Sequence, residues 1–237
     1  MLNNKIFYHG VIRKTIIGFG RLFSNIYIER RKDDSVKGEV VQTLQIPIAY
    51  GPKEKWLVRT EQDPSLENHT YVTMPRMAFE ITGYRYDSSR KVPKMNKIVC
   101  NDGTSSKSMF APVPYTLDMQ LYILTKTQED ALQIIEQILP NFGPEYTISI
   151  NAIPEMNIVQ DIPLTLQGVS FEDEYEGAFD KRTVIHTLTF SAKLNLYNSI
   201  DDGKVIYKAI ANIDEPIVKY TVEGDPDTFE ITSETWE

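Results

Sequence analysis

The sequence predicts an α+β fold: a mixed, mainly antiparallel β-sheet with packed helices, an extended loop and a C-terminal arm. Three observations carry that expectation. Apolar residues recur at helical spacing in two short stretches, near 12–26 and 128–139. Apolar and polar residues alternate through longer stretches, most clearly YTLDMQLYILTKT at 115–127 and RTVIHTLTFSAKLNLYN at 182–198. Between these, EQILPNFGP at 136–144 ends a helical pattern on a proline and restarts the chain in extended geometry.

In chain order, Ile12, Ile16, Phe19, Phe23 and Ile26 fall on one face of an opening helix. Gly18 and Gly20 weaken it by about 1 kcal/mol each where exposed, or else admit the close approach of a neighbouring backbone. NIYIERR then alternates with period two, DDSVKG turns, and EVVQTLQIPIAYG supplies a second strand with Leu44, Ile46 and Ile48 on one face. Pro47 cannot donate to a ladder, so that strand is expected to be an edge or bulged. PKEKWLVRTEQ reads as a short helix or turn and DPSLENHTYVT as a loop. RMAFEITGYRYD alternates again, with Met77, Phe79 and Ile81 opposite Ala78, Glu80 and Thr82. The polar, basic stretch SSRKVPKMNKIVCNDGTSSKSMF is expected as a long loop or a projecting hairpin.

Leu117, Met119, Leu121 and Ile123 share one face of the next strand. Thr127 caps a helix with Asp130 at its third position, and Ala131, Leu132, Ile135, Ile138 and Leu139 form the apolar stripe. Pro140 stops this helix, and Gly143 offers a cheap positive φ. Pro144 begins an extended run, with Phe142 tucked beneath the turn. DIPLTLQGVSFEDEYEG pairs naturally with the 182–198 strand. Beyond Asn198 the composition turns acidic and less regular. The expected organisation is an α+β domain over 1–198 and an acidic extended arm over 199–237.

The 237 residues are 41% hydrophobic and 11% aromatic, which suits a packed core and excludes general disorder. The sequence holds no apolar run of the roughly 18–20 residues that a membrane span needs, and its first residues lack the pattern of a signal peptide. The expectation is a soluble protein made in the cytoplasm. Cys100 is the single cysteine, so no disulfide framework exists, and its turn-rich surroundings do not suggest a nucleophile. Net charge is −8, unevenly spread. Residues 1–32 hold seven Lys or Arg against Glu29, a balance of +6; residues 198–237 hold ten acids against three lysines, a balance of −7. Such a dipole suits head-to-tail association of copies or partners of opposite sign at the two ends. The acidic excess argues against a primary nucleic-acid role.

Chemistry is hard to place. His9, His69 and His186 have no metal-site spacing, and no phosphate-binding glycine loop or nucleophile elbow occurs. The strongest enzymatic candidate is the carboxylate run Glu172, Asp173, Glu174 and Glu176. An acid–base pair there needs one member in an apolar pocket, and the run reads more simply as a solvated hairpin tip.

LFSNIYIERR, IPIAYGPKEKW, EDALQIIEQILPNFGP, DIPLTLQGVSFEDEYEG and KRTVIHTLTF occur in that order. In this the chain resembles the tail sheath stabiliser and completion proteins of contractile-tailed, T-even-like bacteriophages, over about residues 5–198. The resemblance implies a tail-terminator-like fold and a structural virion protein with no catalytic residues and no cofactor. It implies a homohexameric ring at the head-proximal end of the tail, seated on the tail tube terminator ring. That ring holds the last ring of sheath protein extended and offers a surface to the neck protein of the head, with no membrane and no direct nucleic-acid recognition. On this reading, ring contacts are expected at Arg13, Lys14, Arg21, Arg30 and Arg31. Sheath- or neck-facing contacts are expected at Arg90, Lys91 and Lys94 and on the acidic end, at Asp225, Asp227 and Glu230. The alternatives are another tail component, in the baseplate or neck, or an enzyme using the 172–176 carboxylates.

Overall fold

The computed structural model describes residues 6–32, 38–55, 74–101, 105–175, 182–204, 208–211, 219–225 and 228–234. Residues 6–93 and 112–197 gather into one compact unit; residues 94–111 and 198–237, with the first five, gather into another.

The larger unit opens with helix α1 (Val11–Leu22). Its N-cap, Gly10, sits at φ 66°, where a side chain would strain the backbone, and its carbonyl accepts from Lys14 N–H at 2.9 Å. The buried line is Val11, Thr15 and Phe19, with the Thr15 hydroxyl donating to Val11 O at 2.9 Å. Ile12 and Ile16, expected at the centre of the stripe, flank it, while Phe23 and Ile26 are buried beyond the helix end.

Strands β1 (Tyr27–Arg31) and β2 (Val40–Gln45) form an antiparallel hairpin, and β3 (Ile48–Tyr50) follows at once. The sequence reads 39–51 as one strand; the chain instead breaks at Pro47 and changes sheets. Ile46 N–H still donates to Ile26 O at 2.9 Å. Pro47 has no N–H, but its carbonyl accepts from Met77 N–H at 2.8 Å, and β3 then runs parallel to β4 (Arg76–Tyr86). The edge position expected from Pro47 holds, since β3 borders the main sheet. Of the helix or turn expected after Gly51, residues 53–55 are helical and the remainder lies outside the described residues, as does the loop expected at 63–73.

The main sheet is completed by β7 (Val113–Thr125), β8 (Glu145–Ile153), β9 (Ile158–Tyr175) and β10 (Arg182–Leu196), in the order β3-β4-β7-β10-β9-β8. All neighbours are antiparallel except β3 and β4. Leu117, Met119, Leu121 and Ile123 are fully buried, and register pairs them with Ala192, Phe190, Leu188 and His186 on the same face. Phe19 meets Phe79 and Phe190 at 5.3 Å between ring centroids, and Phe23 meets Phe190 at 5.6 Å. Burying each such ring stabilises by about 1.5–3 kcal/mol. Before Leu164, β9 is not paired with β10. The amide of Gln160 bridges the divergence, accepting from Asn195 N–H and donating to Asn195 O in the orientation its hydrogen-bond partners dictate.

Helix α2 (Gln128–Ile138) begins where expected, with Thr127 Oγ1 accepting from Asp130 N–H at 3.4 Å. Its predicted stripe is corrected. Ala131, Ile134, Ile135 and Ile138 are buried, while Leu132 and Leu139 are exposed. The reason is that α2 has two working faces. Residues 131, 134, 135 and 138 provide its apolar face. Asp130, Gln133 and Gln137 meet β1: Gln133 Oε1 accepts from Glu29 N–H at 3.0 Å, its Nε2 donates to Glu29 O at 3.1 Å, and Gln137 Nε2 donates to Tyr27 O at 2.7 Å. Arg30 reaches the buried Asp130 at 3.2 Å. The glutamines thus bond the edge of β1 that β2 does not use, as a neighbouring strand would.

The stop at EQILPNFGP is a 3-10 turn over Leu139–Asn141. Phe142 tucks under it as expected, 5.1 Å from Phe190 and stacked on Phe23 at 6.2 Å. Gly143 does not use a positive φ; its peptide to Pro144 is cis.

In the smaller unit, β5 (Lys97–Asn101) and β6 (Ser105–Phe110) form a hairpin, so the long basic segment is the hairpin rather than the loop. β11 (Asp201–Lys204) pairs with β6. The acidic segment, expected as an extended arm, carries a further antiparallel sheet of β12 (Lys208–Ala211), β13 (Lys219–Asp225) and β14 (Thr228–Glu234).

Candidate interaction surfaces

α1 lies along β8, the last strand of the main sheet, with β9 on one side and, among the described residues, no strand on the other. Gly18 makes the approach close: a Cβ there would stand 3.1 Å from Ile148 Cγ2. The glycine does admit a near neighbour, though that neighbour is a side chain rather than backbone. A groove of about 640 Å³ remains between the two elements, lined by Lys14, Ile17 and Arg21 from α1 and by Tyr146, Ile148 and Ser149 among others from β8. Ile17 and Tyr146 are exposed at 46% and 39%, so the groove presents apolar surface to solvent. Lys14 Nζ donates to Asn151 O at 2.8 Å and Ala152 O at 3.1 Å, closing one end of the strand edge.

The basic residues anticipated as contacts differ in their engagement. Arg13 and Arg21 are exposed on α1. Lys14 is partly spent on β8. Arg30 bonds Asp130, and Arg31 bonds Glu29 at 2.9 Å. Arg90 is folded in, with Nε on Asp87 at 2.7 Å and Nη2 on Tyr115 O at 3.2 Å. Asp87 also accepts from the Ser89 hydroxyl at 2.5 Å; Ser89 first and Arg90 second hold its carboxyl down at about 2. Lys91 and Lys94 are exposed. Asp225 ends β13 and Glu230 lies within β14, while Asp227 lies outside the described residues.

Among the described residues, the carboxylate run shows no acid–base arrangement. Glu172 is exposed and paired with Lys53 at 2.8 Å. Asp173 and Glu174 occupy successive strand positions opposite Val184 and Thr183, and Glu176 lies outside the described residues. His186 is buried 4.8 Å from the Phe171 ring, with its Nε2 unpartnered, and burial pushes its pKa down. His69 lies outside the described residues. Cys100 is half-buried in β5. Among the described residues, no group of His, Cys, Asp and Glu could hold a metal, and no helix is long and apolar enough to cross a membrane. What the surface offers is edges, grooves and charge, the equipment of assembly.

The β8 groove is a feature the sequence reading missed, because strand order decides which strand is last. Gly18 and Lys14 on one helix were its only local signals.

Comparison with known proteins agrees with that character. The profile of the T4-like virus Myoviridae tail sheath stabiliser family matches residues 6–237. The tail completion protein gp15 of Enterobacteria phage T4 is 27% identical over 210 residues, covering 84% of this chain and 74% of the relative. The chain belongs to the tail sheath stabiliser family of T4-like Myoviridae, and so is a structural component of the phage tail and not an enzyme.

Proposed function

We propose that six copies of this protein close the head-proximal end of a contractile tail as a ring. The ring sits on the tube terminator, grips the last ring of sheath protein and offers its upper surface to the neck. The observation that carries the reading is the family match across residues 6–237, which takes in both compact units. Exposed Arg13 and Arg21 on α1 and the acidic 198–237 segment supply opposite charges for a heterologous contact that closes after one turn. Lys91 and Lys94, exposed near the β5–β6 hairpin in sequence, serve the sheath or neck side.

The mechanism is differential binding. An extended sheath is held by whatever binds it better than the contracted form, by the difference in binding free energy. A tenfold preference at one contact is worth about 1.4 kcal/mol. Six linked contacts multiply that preference, so none needs to be strong alone. No covalent step and no cofactor enter.

The test uses tails assembled without this protein. Adding the purified chain is expected to raise the fraction of tails with full-length extended sheath, seen by electron microscopy, with density for six copies at the head-proximal end. Sheaths that contract or depolymerise equally with and without it, or density at the baseplate, would overturn the proposal.

A further inference from the structure

We infer that the groove between α1 and β8 receives strand β14 of a second copy of this chain, extending the six-stranded sheet across the subunit boundary. The inference rests on the ring reading and names the contact that builds the ring.

Four observations support it. First, among the described residues β8 pairs with a strand on one edge alone, and an open edge offers a row of backbone donors and acceptors to an incoming strand. Second, Lys14 occupies the carbonyls of Asn151 and Ala152, so a guest strand has an end stop and pairs along residues 145–150. Third, the groove's lining carries two cations, Lys14 and Arg21, and no acid, beside the exposed apolar Ile17 and Tyr146. Fourth, β14 lies at the edge of its own sheet, and its sequence, TFEITSE, alternates acidic or polar residues (Glu230, Thr232, Glu234) with apolar ones (Phe229, Ile231).

The dimensions agree. Glu230 and Glu234 stand about 13 Å apart along a strand. Lys14 and Arg21 stand about 10 Å apart along the helix axis. Laid along α1, a strand with this spacing matches its two acidic positions to the two basic positions of the helix. The guest is a second copy because the chain's acidic end, at −7, complements its basic start, at +6.

The experiment uses the full chain in a Cys100→Ser background, with Thr147→Cys carrying a benzophenone and half the copies labelled with ¹⁵N. The chains are added to tails lacking the protein, illuminated, and the adducts mapped by mass spectrometry. Extended sheaths with a mixed-isotope adduct on residues 228–234 are the expected result. Arg21→Glu is expected to lower that adduct about fivefold, and a single reversal in the partner copies, Glu230→Arg or Glu234→Arg, at the position that faces residue 21, to restore it. Extended sheaths with an adduct inside one chain, on another segment, on a different tail protein, or with none, overturn this contact and leave the ring standing. Unlabelled wild-type chain that fails to extend the sheath overturns the ring itself.

Discussion

Gly18 and Gly20 sit two residues apart on the same helix, and alanine at each should have opposite effects. Replacing a helical glycine by alanine gains about 0.8–1 kcal/mol from backbone entropy, less near a helix end. At position 20 the new Cβ would stand 3.1 Å from Phe79 Cζ and 3.3 Å from its Cε1. Ordinary carbon contacts lie near 3.5–4.0 Å, so the ring must retreat by roughly 0.5 Å. It has nowhere to go: Phe19 stands 5.3 Å away and Tyr50 5.4 Å away, centroid to centroid. Overpacking of this kind costs about 1–3 kcal/mol, so Gly20→Ala should be destabilising by up to about 2 kcal/mol. At position 18 the close contact is with Ile148, a half-buried side chain on the groove wall with open space beside it. Gly18→Ala should be neutral or stabilising by up to about 1 kcal/mol. Urea unfolding with an unchanged m-value separates the two, as a spread of about 1–3 kcal/mol. In a double-mutant cycle, Phe79→Leu should offset the Gly20→Ala penalty by at least about 0.5 kcal/mol. Equal stabilisation by both alanines would refute the packing argument, since it would mean that only helix propensity was in play.

Gln133→Ala removes both bonds to the Glu29 peptide and should cost about 1–2 kcal/mol, with faster hydrogen exchange at the Glu29 amide as the local signature. Gly10→Ala forces a side chain into left-handed geometry and should cost about 1–2 kcal/mol, read as a lower thermal midpoint. His186 is buried with its pKa pushed below the ordinary value, so on acidification the unfolded chain takes up the proton first. Its contribution is complete above about pH 6.5 and is lost as pH falls, with a slope of at most about 1.4 kcal/mol per pH unit; the slope should vanish in His186→Leu.

Much of the fold was legible because local pattern and tertiary role coincide. β7 alternates from Leu117 to Ile123, and those alternating residues are fully buried; Thr127 announces the start of α2; Pro140 stops it. The reading failed where a residue's role is set by a distant partner. Leu132 has the right spacing for the core, but β1 claims the neighbouring face of α2 through Gln133, and nothing in a glutamine's sequence context marks it as a stand-in for a strand. Pro47 was read as a weakness within one strand, because period two continues across it; that the segment serves two sheets depends on where β4 lies. The acidic end looked irregular since its strands are short and its sequence carries two prolines, Pro216 and Pro226. The family was recognisable because the order of several stretches survives even where each alone is unremarkable. The groove beside β8 has no such signature.

The break at Pro47 has a mechanical consequence. Hydrogen bonds pin the chain on either side of the proline, Ile46 to Ile26 and Pro47 to Met77, so the hairpin and the sheet border share one short tether. Any load a neighbour places on the hairpin arrives at β4 within two residues, with no slack to absorb it. That tether makes the hairpin a lever on the sheet border rather than a flap.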